Sequence, residues 1–523
     1  METRDGNLFD RNCAYARYVV QEPSSYQFNS VFFDSVYEFK HSKPAPVQTP
    51  KIYEAHVGMS SEKPRISTYT EFRDNVLPRV KEMGFNIIQL MAIPEHAYYG
   101  SYGYHITNLF ASSSKFGTPD DLKSLIDTAH SLGILVYLDL CLSHASRNAN
   151  DGIADMDGTG NMYFYPLPRG YQEQWDAKIY DVTKLEVQRY LLSNVRYWVE
   201  EFKVDGFRMD AVTSMIYLHH GYFVPFTGSL TDYFNHMLDL DALALLKLVT
   251  RTGKSAHKDV KFIAEEVTGF PLLCVPETDS GIGFDYTLAM YNPDFCIKLV
   301  NDFHHNQRFT ISDQIPGAFL NRKDNEKYIG YAESHDQCIS GHQSLLSDLV
   351  APQKALEALK YPLSKRVNIC LSVWKAITCL SILLGGEGGL VFMGNEFGHP
   401  DWLEAPTEHN NGSYDKARRI WSLADLPTHA FGELRNFTKE LLKFKSKFHE
   451  DDASLIEEEK RGKVLSYRDP LLIKRGKYMV RIEVNIAQSH GQPVGKKVFI
   501  TCNPEEENDT YIWVVVEEIE SKK

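Results

Sequence analysis

Several features that would commit this chain to a class are missing from it. Its eight cysteines include no CxxC pair, so neither a disulfide framework nor a paired-thiol metal site is indicated. No Cys/His cluster has zinc spacing, no aspartate-rich loop has calcium spacing, and His219 and His220 are adjacent rather than at helical spacing. The expectation is an activity that needs no metal and no cofactor. No glycine-rich phosphate loop follows the first strand-like segment, which argues against a doubly wound nucleotide-binding sheet. Positive charge is short, 56 Lys and Arg against 69 Asp and Glu for a net charge of −13, and this excludes a nucleic-acid backbone as partner. The start, METRDGNLFDRN, has no apolar signal region, and GGEGG at 385–389 breaks the nearest membrane-length apolar run. A cytoplasmic monomer with reduced core cysteines and no membrane contact is expected.

A hydrophobic fraction of 43% in 523 residues is enough for a large barrel with an appendage. Residues 1–50 hold two strand-like pieces, 18–20 and 31–39, and then a proline-rich linker, KPAPVQTP, too little for an independent domain. From Lys51 strands and helices alternate: IYEAHVG, a helix over 69–83, FNIIQLMAI, a helix over 119–132, ILVYLDL, and a helix over 186–202. The second helix opens on Thr118 as N-cap and Pro119 at its first position. VDGFRMDAV, VKFIAEE, FDYTLAM, KYIGYAESHD and GLVFMGNEFG supply five more strands, with helical stretches near 240–251 and over 366–384. Eight parallel strands with intervening helices predict a (β/α)8 TIM barrel over 51–436, with 145–185 as a long loop or subdomain after the third strand. After a last helix around 437–447, period-two runs such as Val480, Ile482, Val484 and Ile486 predict a C-terminal antiparallel β-sandwich domain over 437–523, joined by KVLSYRD, KKVFITCN and TYIWVVVEE.

The barrel strands end on polar residues. The third ends Asp139, then Ser143 and His144; the fourth ends Arg208 and Asp210; the fifth ends Glu265 and Glu266; the seventh ends Glu333, His335 and Asp336. Any one of these alone is explained by a cap or a salt bridge. Four strands delivering acids and histidines to one rim indicate an active site. Arg208 and Asp210, two residues apart, project to one side, and the guanidinium is expected to keep the carboxylate ionised.

The same segments, DLCLSH (139–144), GFRMDAVTS (206–214), AEE (264–266) and ESHD (333–336), resemble the signature regions of the α-amylase superfamily of glycoside hydrolases and transglycosidases. Longer runs, YEAHVGMSS, QLMAIPEHAYYGSYGYHIT, FGTPDDL, RMDAVTSMIYLHHG, GFDYTLAM, YAESHDQ and MGNEFGHPDW, make residues 15–430 similar to the eukaryotic-type 1,4-α-glucan (glycogen) branching enzymes. The resemblance implies that Asp210 is the nucleophile, Glu265 the general acid/base and Asp336 a third carboxylate that stabilises the transition state. It implies further that His144 and His335 grip hydroxyls of the donor sugar, Tyr104 stacks on its ring, and Asp139 orders the site from behind, with Arg208 beside Asp210. Retention of configuration needs two carboxyls about 5 Å apart, and nearby negative charge is expected to hold the proton on Glu265. The implied partner is glycogen or another α-1,4-glucan. The alternatives are an amylase-type hydrolase and a non-catalytic glucan-binding homologue. Four features depart from the family pattern. A remnant of an N-terminal β carbohydrate-binding module is expected ahead of the barrel, Thr287 stands where the family has arginine, 407–410 alters a basic segment, and the C-terminal sheet matches the family only loosely.

Overall fold

The computed structural model describes residues 6, 8–306, 314–320, 322–323, 326–341, 344–351 and 354–450, together with four strand segments between 463 and 518. Eight parallel strands close into a barrel in chain order: β1 Lys51–His56, β2 Ile87–Met91, β3 Leu135–Leu140, β4 Gly206–Met209, β5 Lys261–Ala264, β6 Tyr286–Leu288, β7 Tyr328–Gly330 and β8 Gly388–Phe392, which pairs back onto β1. The sequence therefore placed all eight. Crossovers run through α1 Tyr69–Asn75, α2 Leu77–Met83, α3 Pro119–Ser131, α4 Leu185–Glu201, α5 Leu240–Ala256, α6 Tyr291–Asn306, α7 Gln314–Leu320 and α8 Lys365–Leu384, and α9 Phe431–Glu450 follows the barrel.

Local chemistry explains where expectation and structure agree or part. Thr118 accepts from the Asp121 N–H while the Asp121 side chain returns to the Thr118 N–H, so α3 starts where its capping residues put it. The helix expected over 69–83 is two helices parted at Val76, because Pro78 offers no N–H and its ring excludes the preceding turn. The strand expected over 31–39 does not form, since the hairpin is Val19–Gln21 with Phe28–Ser30. Instead 31–41 runs along α3, where Asp127 accepts from Tyr37 Oη at 2.8 Å and from the Lys40 and His41 amides at 3.0 and 2.9 Å. One buried carboxylate thus satisfies donors that a neighbouring strand would otherwise take.

Helix α8 is a second correction. By length and composition it is apolar enough to cross a membrane, yet 83% of that window is buried inside the fold. Its apolar residues pack the core. Six of the seven described cysteines are buried or half-buried without a disulfide, while Cys13 is exposed, against the expectation of a core position. Within 145–185, Tyr171–Gln172 and Ala177–Ile179 join His144–Ser146 in a small antiparallel sheet. Past the barrel, β9 Lys463–Ser466, β10 Leu471–Arg475, β11 Tyr478–Ile486 and β12 Thr510–Glu518 form one four-stranded antiparallel sheet. KKVFITCN (496–503), expected as a further strand, lies outside the described residues.

The barrel interior is layered, and this places the site. Ile52, Ile87, Leu135, Tyr137, Ile263, Leu288, Ile329 and Leu390 fill its lower half. Side chains two apart on a strand share a face, so one step further along come Glu54, Gln89, Asp139, Arg208 and Glu265. The apolar layer excludes water from below the polar one. Gly206 belongs to this packing, because a Cβ there would lie 2.7 Å from both Lys261 O and the Tyr137 ring.

Candidate active site

Arg208 is the hub of the polar layer. It is 1% exposed, at the end of β4. Its Nη1 donates to Asp139 Oδ1 at 2.8 Å and to Asp210 Oδ1 at 2.7 Å, and its Nη2 lies 3.2 Å from Glu265 Oε2. One guanidinium therefore holds three carboxylates from β3, β4 and β5. That environment raises the arginine pKa well above its ordinary value: burial opposes the charge, and Asp139, Tyr104, Glu265 and Asp210 outweigh it.

Arg208 was expected to keep Asp210 ionised, and it does favour the charged form. Burial is the larger influence and raises the Asp210 pKa above 3.8, with Glu265 adding to it and Arg208 opposing. Asp139 is pushed up to about 6 in the same way, by burial first and by Asp210 next, against Arg208. Asp336 behaves oppositely. Burial alone would raise it, but His335 at 3.2 Å holds its carboxyl well below the usual range.

The turn after Asp210 couples nucleophile and acid candidates. Ala211 adopts φ 53°, a left-handed conformation that costs a non-glycine residue on the order of 1 kcal/mol. In that conformation its N–H donates to Glu265 Oε2 at 2.7 Å. Glu266 faces away, as strand alternation predicts. It is 3% exposed and accepts from Thr213 Oγ1 at 3.0 Å and from the amides of Thr268, Gly269 and Phe270, pinning the loop after β5.

Asp210, Glu265, Asp336, Tyr104 and His144 line one open cleft of about 550 Å3, together with His105, Trp175, His220, Tyr222 and Val267. Asp139 and Arg208 lie beneath it. Tyr104 donates to Asp139 Oδ2 at 2.8 Å, and its ring stacks on His335 at 5.5 Å. His144 is neutral, since burial lowers its pKa to about 4, and its ring packs against Trp175 at 5.0 Å. His335, expected on a donor hydroxyl, sits between two acids, and its Nε2 also lies 2.8 Å from Tyr104 Oη. Nδ1 is 2.8 Å from Glu54 Oε1 and Nε2 is 3.2 Å from Asp336 Oδ1. Burial disfavours its charge, but Asp336 and Glu54 raise its pKa well above 6.5, so it is an imidazolium that orients Asp336.

Sequence reasoning missed Glu54, although an acid inside the apolar run of β1 was its signal. It also missed Trp175 and Tyr222, which stand in loops and carry no spacing signal. Glu333 was expected at the rim, yet it is buried, and its Oε1 accepts from the Leu345 N–H at 2.7 Å. Burial pushes its pKa from 4.5 to about 7. A group with a raised folded pKa contributes its stability below the unfolded value and loses it as pH rises through the folded one. At about 1.4 kcal/mol per pH unit the loss is ~3 kcal/mol between pH 4.5 and 7. Glu333→Gln retains an acceptor for Leu345 and carries no charge, so urea denaturation should find it level with wild type at pH 4.5 and more stable at pH 8. Equal stability at both pH values would show that Glu333 stays hydrated.

Cys141 Sγ, a His144 ring nitrogen and an Asp210 oxygen lie within 4.8 Å of one another. The sulfur is 3.4 Å from Nδ1 and 3.6 Å from Nε2 of His144. It therefore lies against the ring rather than along either lone pair, and a metal shared between them requires the ring to turn.

A family model described as the alpha amylase catalytic domain matches residues 75–157. The 1,4-alpha-glucan-branching enzyme of Equus caballus is 42% identical over 479 residues, covering 90% of this chain and 68% of its own length. The chloroplastic/amyloplastic 1,4-alpha-glucan-branching enzyme 2-2 of Arabidopsis thaliana is 43% identical over 453 residues, covering 84% and 56%. That of Dictyostelium discoideum is 43% identical over 475 residues, covering 87% and 69%. The chain thus spans 56 to 69% of the length of these curated relatives. Among solved structures, GBS pullulanase SAP in complex with maltotetraose aligns with TM-score 0.64 at 16% identity, covering 91% of this chain and 69% of its own. The catalytic module of the glycogen-degrading pneumococcal virulence factor SpuA aligns with TM-score 0.66 at 14% identity, covering 92% and 78%. At such identities the likeness is one of fold.

Proposed function

We propose, for a chain that belongs to the 1,4-alpha-glucan-branching enzyme family, that it cuts α-1,4-glucan chains and rejoins the fragment to a 6-hydroxyl as an α-1,6 branch. The observation that carries this reading is the pair Asp210 and Glu265 held on one guanidinium at the floor of a cleft that also presents Asp336. In the first step Asp210 attacks the anomeric carbon and Glu265 gives its proton to the leaving O4, so the stub departs and an ester remains on Asp210. In the second step Glu265 takes the proton of a glucan 6-hydroxyl, whose oxygen attacks the same carbon and frees Asp210. Two inversions retain the α configuration.

The contacts support this division of labour. Glu265 Oε2 already accepts from Ala211 N–H and lies 3.2 Å from Arg208 Nη2, so the transferable proton belongs on Oε1. Asp336, kept ionised by His335, opposes the positive charge that develops on the sugar ring. Tyr104 and His144 line the wall against which the donor sugar rests. Asp210, Glu265 and Asp336 are the acids among the described residues lining the cleft, and carboxylates facing developing positive charge suit a neutral polysaccharide such as glycogen. The seven described cysteines are free thiols, as suits a reducing compartment, and a cytoplasmic monomer is the form we propose.

The test counts chain ends. Cleavage with transfer makes no net reducing end, because the new end of the moved fragment is consumed in the branch. Incubation with amylose should lower iodine absorbance and create α-1,6 anomeric signals in the NMR spectrum while the reducing-end titre stays flat. A fall in iodine colour matched by rising reducing ends, with no α-1,6 signal, makes the protein a hydrolase. No change in either makes it a glucan-binding protein.

A further inference from the structure

We propose that Phe223 is an external stacking platform for an α-glucan chain, outside the cleft and continuous with it. The inference rests on the substrate class proposed above and extends its binding surface. Phe223 is 97% exposed and has φ 58°. A bulky residue in the left-handed region costs on the order of 1 kcal/mol or more. Burial of a phenylalanine would return ~2 kcal/mol, but this ring is left in water. Neither backbone preference nor packing accounts for a phenylalanine here, so its use lies in what it presents.

The turn that presents it is fixed. His220 and Gly221 are also left-handed, at φ 57° and 79°. The Gly221 N–H donates to His219 Nδ1 at 3.0 Å, the Tyr222 N–H donates to His219 O at 3.1 Å, and His220 Nδ1 lies 3.0 Å from Ser214 O. A Cβ on Gly221 would come 2.5 Å from Thr213 Cγ2, so the turn is seated against the helix Val212–Ile216 that follows Asp210. Displacement of the turn would disturb the residues next to the nucleophile.

From the cleft a trail of rings leads to it. His144 packs on Trp175 at 5.0 Å, Trp175 meets Tyr222 edge to face at 6.0 Å, and Tyr222 lies 6.4 Å from Phe223. The first three line the cleft, and the fourth stands outside it. A glucose ring carries hydroxyls around its edge and C–H bonds on its faces, so a flat apolar ring binds the face and leaves the hydroxyls in water. Successive aromatic rings spaced along a groove suit successive sugars of one chain. Phe223 therefore holds glucose units remote from the bond being cut, and its contribution is confined to chains long enough to reach it.

The experiment compares the full chain with Phe223→Ser and Phe223→Trp, measuring dissociation constants for amylose and for maltotriose along with the melting temperature. Phe223→Ser should weaken amylose binding about fivefold, the scale of one ring contact, leave maltotriose binding unchanged, and hold or raise the melting temperature. Phe223→Trp should restore amylose affinity. If wild type binds amylose and Phe223→Ser binds it equally well, the platform is refuted while the glucan reading stands. Equal weakening toward both sugars would place Phe223 within the cleft and overturn the inference. A wild-type dimer that Phe223→Ser converts to monomers, or a melting temperature lowered by the substitution, would assign the ring to a protein contact instead. Failure of wild type to bind either sugar would remove the functional reading itself.

Discussion

Asp210→Ala is expected to reduce turnover of amylose by roughly 10^4-fold or more while leaving the urea midpoint of the protein nearly unchanged. The two halves of that result have separate causes. Loss of the nucleophile removes the ester intermediate, and each factor of ten in rate corresponds to about 1.4 kcal/mol of transition-state stabilisation, so the deficit exceeds ~5 kcal/mol. Stability is spared because Arg208 keeps its other partners. Its Nη1 still meets Asp139 at 2.8 Å, and its Nη2 still lies 3.2 Å from Glu265. Asp210 also lines an open cleft, which lets water occupy the vacated volume. The check is a steady-state assay beside urea denaturation of the same preparation. Turnover within tenfold of wild type would remove Asp210 from the role of nucleophile.

Arg208→Met is expected to do what Asp210→Ala does not, and abolish both activity and much of the stability. Methionine fills the volume, but three carboxylates lose their common cation below the cleft floor. A buried charge left uncompensated typically costs about 3–5 kcal/mol; Asp210→Ala leaves Arg208 with Asp139 and Glu265, whereas Arg208→Met strands three neighbouring carboxylates. The loss should depend on pH in a definite sense. Burial already raises Asp139 to about 6 and raises Asp210 above 3.8, and removal of the guanidinium raises both further. Groups with raised folded pKa values contribute stability below their unfolded values and lose it as pH rises through the folded ones. The deficit of the variant relative to wild type should thus be small near pH 4 and grow as pH rises past 6. Urea midpoints at pH 4.5, 6 and 8 test this. A deficit independent of pH would mean that methionine disrupts packing and that the stranded charges are hydrated.

The contrast between these two substitutions shows how the candidate site could be read before the fold was known, and where that reading stopped. Short apolar runs alternating with helical segments located the barrel strands, because a strand buried on both faces leaves a continuous apolar mark in the chain. The ends of those strands then named Asp139, Arg208, Asp210, Glu265 and Asp336 as neighbours. What the pattern could not supply was the balance of forces among them. The sequence pairs Arg208 with Asp210, and the structure adds burial as an opposing influence on the same carboxyl. His335 is expected on sugar hydroxyls, and only the structure shows that Glu54, 281 positions away, also holds its Nδ1.

Fold class, strand order and the gathering of Asp139, Arg208, Asp210 and Glu265 at strand ends, with Asp336 in the helix His335–Ser340 beyond β7, were legible in the sequence alone, because apolar runs and the polar residues that close them are local properties that each segment carries by itself. Only the tertiary structure decided which acids share a cation, that Glu333 is a buried tether for Leu345 rather than a rim acid, that Pro78 splits a helix without disturbing the barrel, and that Trp175, Tyr222 and Phe223 form one line of rings. Those are facts of distance between residues far apart in the chain. Desolvation and Coulomb interaction depend on that distance and on the surrounding medium, and neither quantity is written in the order of the residues.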